Sequence, residues 1–264
     1  MTIITVQFEY PESFHLPDYD ALLRVFEASV RKQAPEAHFR AIRIPCPGRG
    51  DDEKALNFWY NTAKLEAWVR ALEETDDNVI LADCDMLMAR PFPDPSVFDE
   101  DFDVAYTERT KEVIRFDKAS VKYWGNAPIR RMPMNGGIML AKPTPAARQF
   151  FRLLLETNER LYRDTEEHMK WNVKYAGMNQ AAFGCLFESG EFEAKVVPLS
   201  CRIWNAVDCD WHAVENTSVF IHIKSKLRKL VLARQRPYGN FKPAMSAWYD
   251  VARECGVPSF ERIP

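Results

Sequence analysis

Asp83-Cys84-Asp85 closes an apolar run, Val79-Ile80-Leu81-Ala82. The run reads as a buried strand. Side chains alternate along an extended chain, so Asp83 and Asp85 are expected to aim two carboxylates at one point just past the strand end. In open α/β sheets, ligands bind beyond the carboxyl ends of strands. Two carboxylates converging there suit a hard divalent cation, Mg²⁺ or Mn²⁺, which can in turn hold a diphosphate. The plainer account has Asp83 capping a turn and Asp85 solvated.

Three further stretches carry polar groups on strand or helix ends. Met134-Asn135-Gly136-Gly137 precedes the apolar Ile138 to Ala141. Glycine lets the backbone approach a ligand closely, and Asn135 offers a donor and an acceptor to a hydroxyl. Asn179-Gln180 lies near the start of a short helix that begins at Gly177. His222 ends the strand Ser218 to His222. From there to Tyr249 seven Lys or Arg residues (224, 226, 228, 229, 234, 236, 242) occur with no Asp or Glu. Such a run beside a strand-end histidine suits a diphosphate. Each stretch has a plain alternative: a turn into a strand, a solvated tail, a buried histidine.

The elements around these residues alternate. Ile3 to Phe8 reads as a strand leading into the turn Glu9-Tyr10-Pro11. Asp18 caps a helix to about Gln33, with Leu22, Val25, Phe26 and Val30 on one face. Phe39 to Ile44 is a second strand, followed by a charged loop at Gly48 to Glu53. A helix from about Asn57 to Glu74 buries Leu65, Trp68, Val69 and Leu72. Lys64 sits one position before that stripe, where a solvated lysine is the plain reading. Strand, helix, strand, helix, strand predicts a largely parallel sheet with covered faces. Asp103 to Tyr106 is another strand. Thr107 to Met132 has no clear period and holds Arg109, Lys111, Arg115, Lys118, Lys122, Arg130 and Arg131 against Glu108, Glu112 and Asp117. Thr144-Pro145 opens a strong helix, with Ala147, Phe150, Phe151, Leu154 and Leu155 facing inward. Glu193 to Leu199 is a strand, with Trp204-Asn205 soon after.

The totals fit a soluble enzyme-sized domain. The chain has 264 residues, 47% hydrophobic and 28% charged, with net charge −3. Residues 1–264 are expected to form a single domain, with 222–264 as a basic C-terminal segment. The start lacks a signal-peptide pattern, and no apolar run approaches the ~20 residues that span a bilayer. Six scattered cysteines without a C-x-x-C pair suit reduced thiols in a cytoplasmic protein.

Taken in order, these stretches resemble a nucleotide-sugar glycosyltransferase of the GT-A fold, a Rossmann-like α/β domain with a mostly parallel central sheet flanked by helices. The sequence is most similar to glycosyltransferase family 8, over Ile3 to about Lys229. The resemblance implies a metal held by Asp83, Asp85 and His222. It implies a basic donor-binding residue at Ala63-Lys64-Leu65, with lysine where the family has arginine. Asn135-Gly136-Gly137 looks like the family's sugar-lining strand. Asn179-Gln180 looks like its D-Q pair, with asparagine replacing aspartate, and Trp204-Asn205 like its W-N. In His222-Ile-Lys-Ser225-Lys-Leu-Arg228 the histidine and spacing of the H-x-x-G-x-x-K-P-W motif are kept. Glycine becomes Ser225, lysine becomes Arg228, and the P-W is lost.

The implied activity is metal-dependent transfer of a hexose from a nucleoside diphosphate sugar, UDP-sugar first among them, to a hydroxyl, with retention. Asn135, Asn179 and Gln180 are then the catalytic-site residues that orient the sugar. Phe8, Tyr10, Lys64, Asp83, Gly136, Gly137, Lys224, Lys226 and Arg228 are assigned to the donor. No Asp or Glu is marked as an inverting base, though Asp208 and Asp210 are candidates. The acceptor is open between glycan, lipid, protein and nucleic acid. Three other readings stay open: a haloacid-dehalogenase-type phosphatase, a nucleotidyltransferase on the same metal logic, and a nucleotide-sugar-binding module without turnover.

Overall fold

The alternating unit forms as its apolar periods dictate: β1 (Thr2–Glu9), α1 (Tyr19–Gln33), β2 (His38–Pro45), α2 (Glu53–Glu73) and β3 (Val79–Asp83). The computed structural model describes residues 1–10, 17–47, 53–92, 95–109, 113–115, 118–125, 129–131, 134–175 and 177–260. Pro11, the loop 48–52, Lys111, Glu112, Asp117 and Met132 therefore lie outside the described residues. After a turn at Cys84-Asp85 come β4 (Met86–Met88), β5 (Val104–Glu108), β6 (Val113–Arg115), α3 (Lys118–Trp124), β7 (Ile129–Arg131) and β8 (Met134–Ala141). The rest is α4 (Pro145–Arg163), α5 (Thr165–Tyr175), α6 (Met178–Ser189), β9 (Val196–Ser200), α7 (Cys201–Trp204), α8 (Val214–Thr217), β10 (Phe220–His222), α9 (Ser225–Leu232) and α10 (Lys242–Glu254).

The central sheet has six strands in the order β2-β1-β3-β8-β5-β9. β1 pairs in parallel with β2 and β3, and β5 with β9. β8 runs against both of its neighbours, β3 and β5. Alternation along β1 divides the core. Ile4 and Val6 pack with Leu65 and Trp68 of α2 and with Phe150 and Phe151 of α4. Ile3 faces Phe26 and Val30 of α1 on the other side. The caps are as expected: Asp18 accepts from Ala21 N–H at α1, and Thr144 accepts from Ala147 N–H with Pro145 in the first turn of α4.

Several expectations need correction. Asn135-Gly136-Gly137 is no turn before a strand; all three residues lie inside β8. The register against β5 shifts between Tyr106 and Thr107, and this irregularity accommodates them. The stretch 107–132 is not featureless. It holds the end of β5, the antiparallel pair β6/β7 and the helix α3, all too short to show a period. α2 begins at Glu53 rather than Asn57, and β9 at Val196 rather than Glu193. β4 and α5 were not expected.

Residues 222–260 are not a solvated basic tail. Leu227 and Val231 of α9, and Ala244, Met245, Trp248, Val251 and Ala252 of α10, are buried against Leu22 and Val25 of α1 and Leu87 of β4. Their i, i+4, i+7 spacing makes an apolar stripe beneath the charges. Trp248 is fully buried, so Trp248→Ala should lower unfolding free energy by about 3–5 kcal/mol. Urea denaturation checks this; a solvated tail would leave stability unchanged.

Candidate active site

β3 delivers Asp83 as its last residue, and the chain then turns through Cys84 and Asp85 into β4. The two carboxylates converge, but through this turn rather than through strand alternation. β4 pairs antiparallel with β10 and sets His222 opposite Met86, while Ile223 N–H donates to the Asp85 carbonyl at 2.7 Å. This pairing carries His222 from far along the chain to the carboxylates. Its Nε2 lies 3.2 Å from Asp85 Oδ1 and 3.6 Å from Asp83 Oδ2. One ligand atom from each of Asp83, Asp85 and His222 falls within 4.8 Å of the others, a donor set of oxygen and imidazole nitrogen that fits a Mn²⁺ or Mg²⁺ ion.

Cations from two helices answer the carboxylates. Lys64 on α2 bonds Asp83 Oδ1 and lies 4.3 Å from the centroid of the Trp68 ring. Arg228 on α9 donates from Nη1 to Asp85 Oδ2 at 3.1 Å, with its guanidinium 5.1 Å from the Tyr19 ring. Burial pushes the Asp85 carboxyl up, but the charge and hydrogen bond of His222, and then Arg228, outweigh it and hold the group below its usual range. Burial pushes the Cys84 thiol up, and the flanking Asp85 and Asp83 push it further. Both effects favour the thiol over the thiolate.

A cavity of about 360 Å³ opens beside this cluster. Phe8, Tyr60, Asn61, Lys64, Asp83, Asn135, Gly136, Gly137, Asn179, Gln180, His222 and Lys224 line it, so most of the residues singled out in the sequence meet there. Asn179 lines the cavity, and its buried Oδ1 finds no hydrogen-bond partner among the described residues. Lys224 lies 3.7 Å from Asp208, and burial, then the charge of Arg109, lowers its pKa. Burial disfavours the bare ammonium, while the neighbouring positive charge of Arg109 would favour an anion beside it.

Four assigned residues stand off the cavity. Tyr10 packs behind it, its ring centroid 5.5 Å from Tyr60 and 5.9 Å from Tyr19. Lys226 points its ammonium to the Phe241 ring, 5.2 Å from the centroid. Asp85 and Arg228 are bonded to each other and are not among the lining residues. The residues not foreseen are Tyr60 and Asn61, one helical turn before Lys64 on the same face of α2; that spacing was the available signal.

A buried polar network backs His222. Asn205, fully buried, donates from Nδ2 to Thr107 Oγ1 at 2.9 Å and to Asn135 Oδ1 at 3.0 Å. Its Oδ1 lies 3.2 Å from His222 Nδ1. Asn135 Oδ1 also accepts from Gly137 N–H at 3.0 Å, which leaves only the Asn135 Nδ2 for a ligand. At the glycine of the resembled histidine motif, Ser225 has φ 51°, a left-handed conformation that costs an L-residue about 1 kcal/mol. Gly137 is needed for space. A Cβ there would come within 2.6 Å of His222 Nδ1 and 2.7 Å of its Cε1.

No known protein-family profile and no curated protein sequence matches this chain. Solved structures do resemble it. One is a glycosyltransferase involved in glycosylation of the major capsid of PBCV-1, with TM-score 0.53 and 10% identity over 87% of this chain and 96% of that one. Another is galactosyltransferase LgtC in complex with donor and acceptor sugar analogs, with TM-score 0.51 and 14% identity over 96% of each chain. A third is mouse xyloside xylosyltransferase 1 in its apo form, with TM-score 0.50 and 14% identity over 84% of this chain and 96% of that one. The chain has the GT-A fold, with its mostly parallel central sheet flanked by helices.

Gly137→Ala should push the His222 ring off the carboxylates and weaken Mn²⁺ binding about tenfold or more. Titration followed by electron paramagnetic resonance measures this. Wild-type affinity in the variant would remove Gly137 from the site.

Proposed function

We propose that this chain is a metal-dependent glycosyltransferase that moves a hexose from a nucleoside diphosphate sugar, UDP-sugar first among them, to a hydroxyl acceptor. The observation that carries the reading is the Asp83–Asp85–His222 cluster opening on a cavity lined by Lys64, Lys224 and Asn179. Asp83, Asp85 and His222 would hold a Mn²⁺ or Mg²⁺ ion, whose role when bound is to offset charge on the leaving diphosphate. Lys224 would face the diphosphate, and Lys64 would join it when the ion takes over Asp83. Asn135 through Nδ2, Asn179 and Gln180 would orient the sugar, with Gly136 leaving the backbone open to it. Phe8 and Tyr60, their ring centroids 4.8 Å apart, would offer the base an aromatic wall, with Tyr10 behind them.

Retention, and with it family 8, is supported by the acids near the site. Among the described residues, Asp83 is the one carboxylate lining the cavity. Asp210 is 5% exposed and takes the Cys209 S–H at 3.3 Å, while Asp208 faces Lys224; neither is placed as a free base. We read residues 1–264 as one such domain. The six cysteines, with no disulfide among the described residues, suit a cytoplasmic setting. No helix among the described residues is long and apolar enough to cross a membrane. The phosphatase alternative expects its acid pair at the first strand of a different fold; here the pair follows β3.

A panel of UDP- and GDP-sugars with Mn²⁺ tests the reading. Hydrolysis or transfer should stop with EDTA and return with Mn²⁺ or Mg²⁺. Turnover of nucleoside triphosphates in place of sugars would make the chain a nucleotidyltransferase, and binding without turnover a binding module.

The two basic residues should separate by what they weaken. Lys224→Ala should lower nucleoside-diphosphate affinity about tenfold, the size of a charge-assisted contact. Arg228→Ala should act mainly on Mn²⁺ affinity, through the freed Asp85. Calorimetry with UDP and with Mn²⁺ separately distinguishes them; the opposite pattern would return the diphosphate to Arg228.

A further inference from the structure

We infer that Asn205 is a positioning residue that fixes which ring nitrogen His222 turns to the carboxylates, through a hydrogen-bond relay that starts at the backbone of Gly137. The inference rests on the reading of Asp83, Asp85 and His222 as a cation site.

The direction of every bond in the relay follows from one unambiguous donor. The Gly137 N–H can only donate, so the Asn135 atom 3.0 Å from it must be the amide oxygen. That oxygen lies 3.0 Å from one end of the Asn205 amide, which must therefore be the NH₂ end. The same NH₂ group reaches Thr107 Oγ1 at 2.9 Å, and this hydroxyl spends its own proton on the Asn135 carbonyl at 2.7 Å. Both neighbours agree on the orientation. The other end of Asn205 is then the oxygen, and it faces His222 Nδ1 at 3.2 Å. An oxygen there accepts, so Nδ1 carries the proton. Nε2 is left as the nitrogen that faces Asp85 Oδ1 and Asp83 Oδ2, where it can donate its own proton to them or, with a cation in place of that proton, offer its lone pair.

Burial makes the relay strict. Asn135, Asn205, Thr107 and His222 are 3%, 0%, 0% and 6% exposed, so water cannot substitute for a missing partner. Turning the Asn205 amide over would set NH₂ against Nδ1–H and oxygen against oxygen at Asn135. The glycines of β8 thus have two tasks. Gly137 makes room for the ring, and its N–H settles the ring's protonated nitrogen from three residues away. Asn135 is a part of this relay as well as a cavity residue.

The variant Asn205→Leu keeps the shape and removes the acceptor. Thr107 still donates to the Asn135 carbonyl and Gly137 to Asn135 Oδ1, so the loss falls on His222. The full-length protein labelled with ¹⁵N in its histidines, loaded with ¹¹³Cd²⁺ and assigned with His222→Gln, reports the ring directly. The expected wild-type pattern is cadmium coupling at Nε2 and a proton on Nδ1. Asn205→Leu should lower Mn²⁺ affinity about tenfold or more and lose the protected Nδ1–H signal. Asn135→Asp keeps an acceptor for Gly137 and for the Asn205 amide, and should hold the wild-type ring pattern. Cadmium on Nδ1, or an Asn205→Leu protein with wild-type affinity and ring pattern, would overturn the inference. A failure of the wild type to bind any divalent ion removes the cation reading alone. The metal-free ring then decides this one: a proton on Nδ1 that Asn205→Leu loses supports it, and a bare Nδ1 overturns it.

Discussion

Two carboxylates that cannot escape each other set the terms for this site. Ligand oxygens of Asp83 and Asp85 lie within 4.8 Å, and Asp85 is buried. At an effective dielectric of about 20, such a pair repels by roughly 3 kcal/mol. The chain brings positive charge from two separate elements to offset it, Lys64 from α2 and Arg228 from α9, and sets the imidazole of His222 from β10 beside both acids. Each partner takes a different oxygen, so the arrangement holds without a cation. Asp83, Asp85 and His222 would be the residues to hold a divalent ion there, and Lys64 would then be available to an anion.

β8 is where backbone geometry and site chemistry meet. It runs against both neighbours in an otherwise parallel sheet, so its first residues, not its last, arrive at the ligand end. Those first residues are Met134, Asn135, Gly136 and Gly137. Gly136 has open space where a Cβ would stand, which leaves the cavity wall as bare backbone. Gly137 meets the His222 ring instead. Adjacent glycines in one strand therefore differ, one bordering the open cavity and the other making room for a side chain.

The basic residues after His222 divide by helix geometry. Lys224 precedes α9 and reaches the cavity. Lys226 and Arg228 lie on α9 itself, where a turn of helix carries one to Phe241 and the other to Asp85. In the resembled motif the phosphate-facing cation sits at the Arg228 position. Here the guanidinium is bound to a carboxylate and stacked near Tyr19, and the short helix begins with a left-handed Ser225.

The sequence alone determined the alternating strands and helices, because periods of 2 and 3.6 record burial locally. It determined the acid pair at a strand end and the polar residues at Asn135, Asn179 and His222. It also held the stripe Ala244, Met245, Trp248, Val251 and Ala252, which is legible once the charges around it are set aside. Only the tertiary structure decided what those residues face. β4 is three residues long, too short for any period, yet its pairing with β10 brings His222 to Asp85. Asn205 looks like a loop asparagine until Thr107, Asn135 and His222 surround it. Hydrogen-bond direction, like the turning of Arg228 to Asp85 and of Lys224 to the cavity, depends on partners distant in sequence. One-dimensional spacing records which face is apolar, but not which buried groups will meet across it.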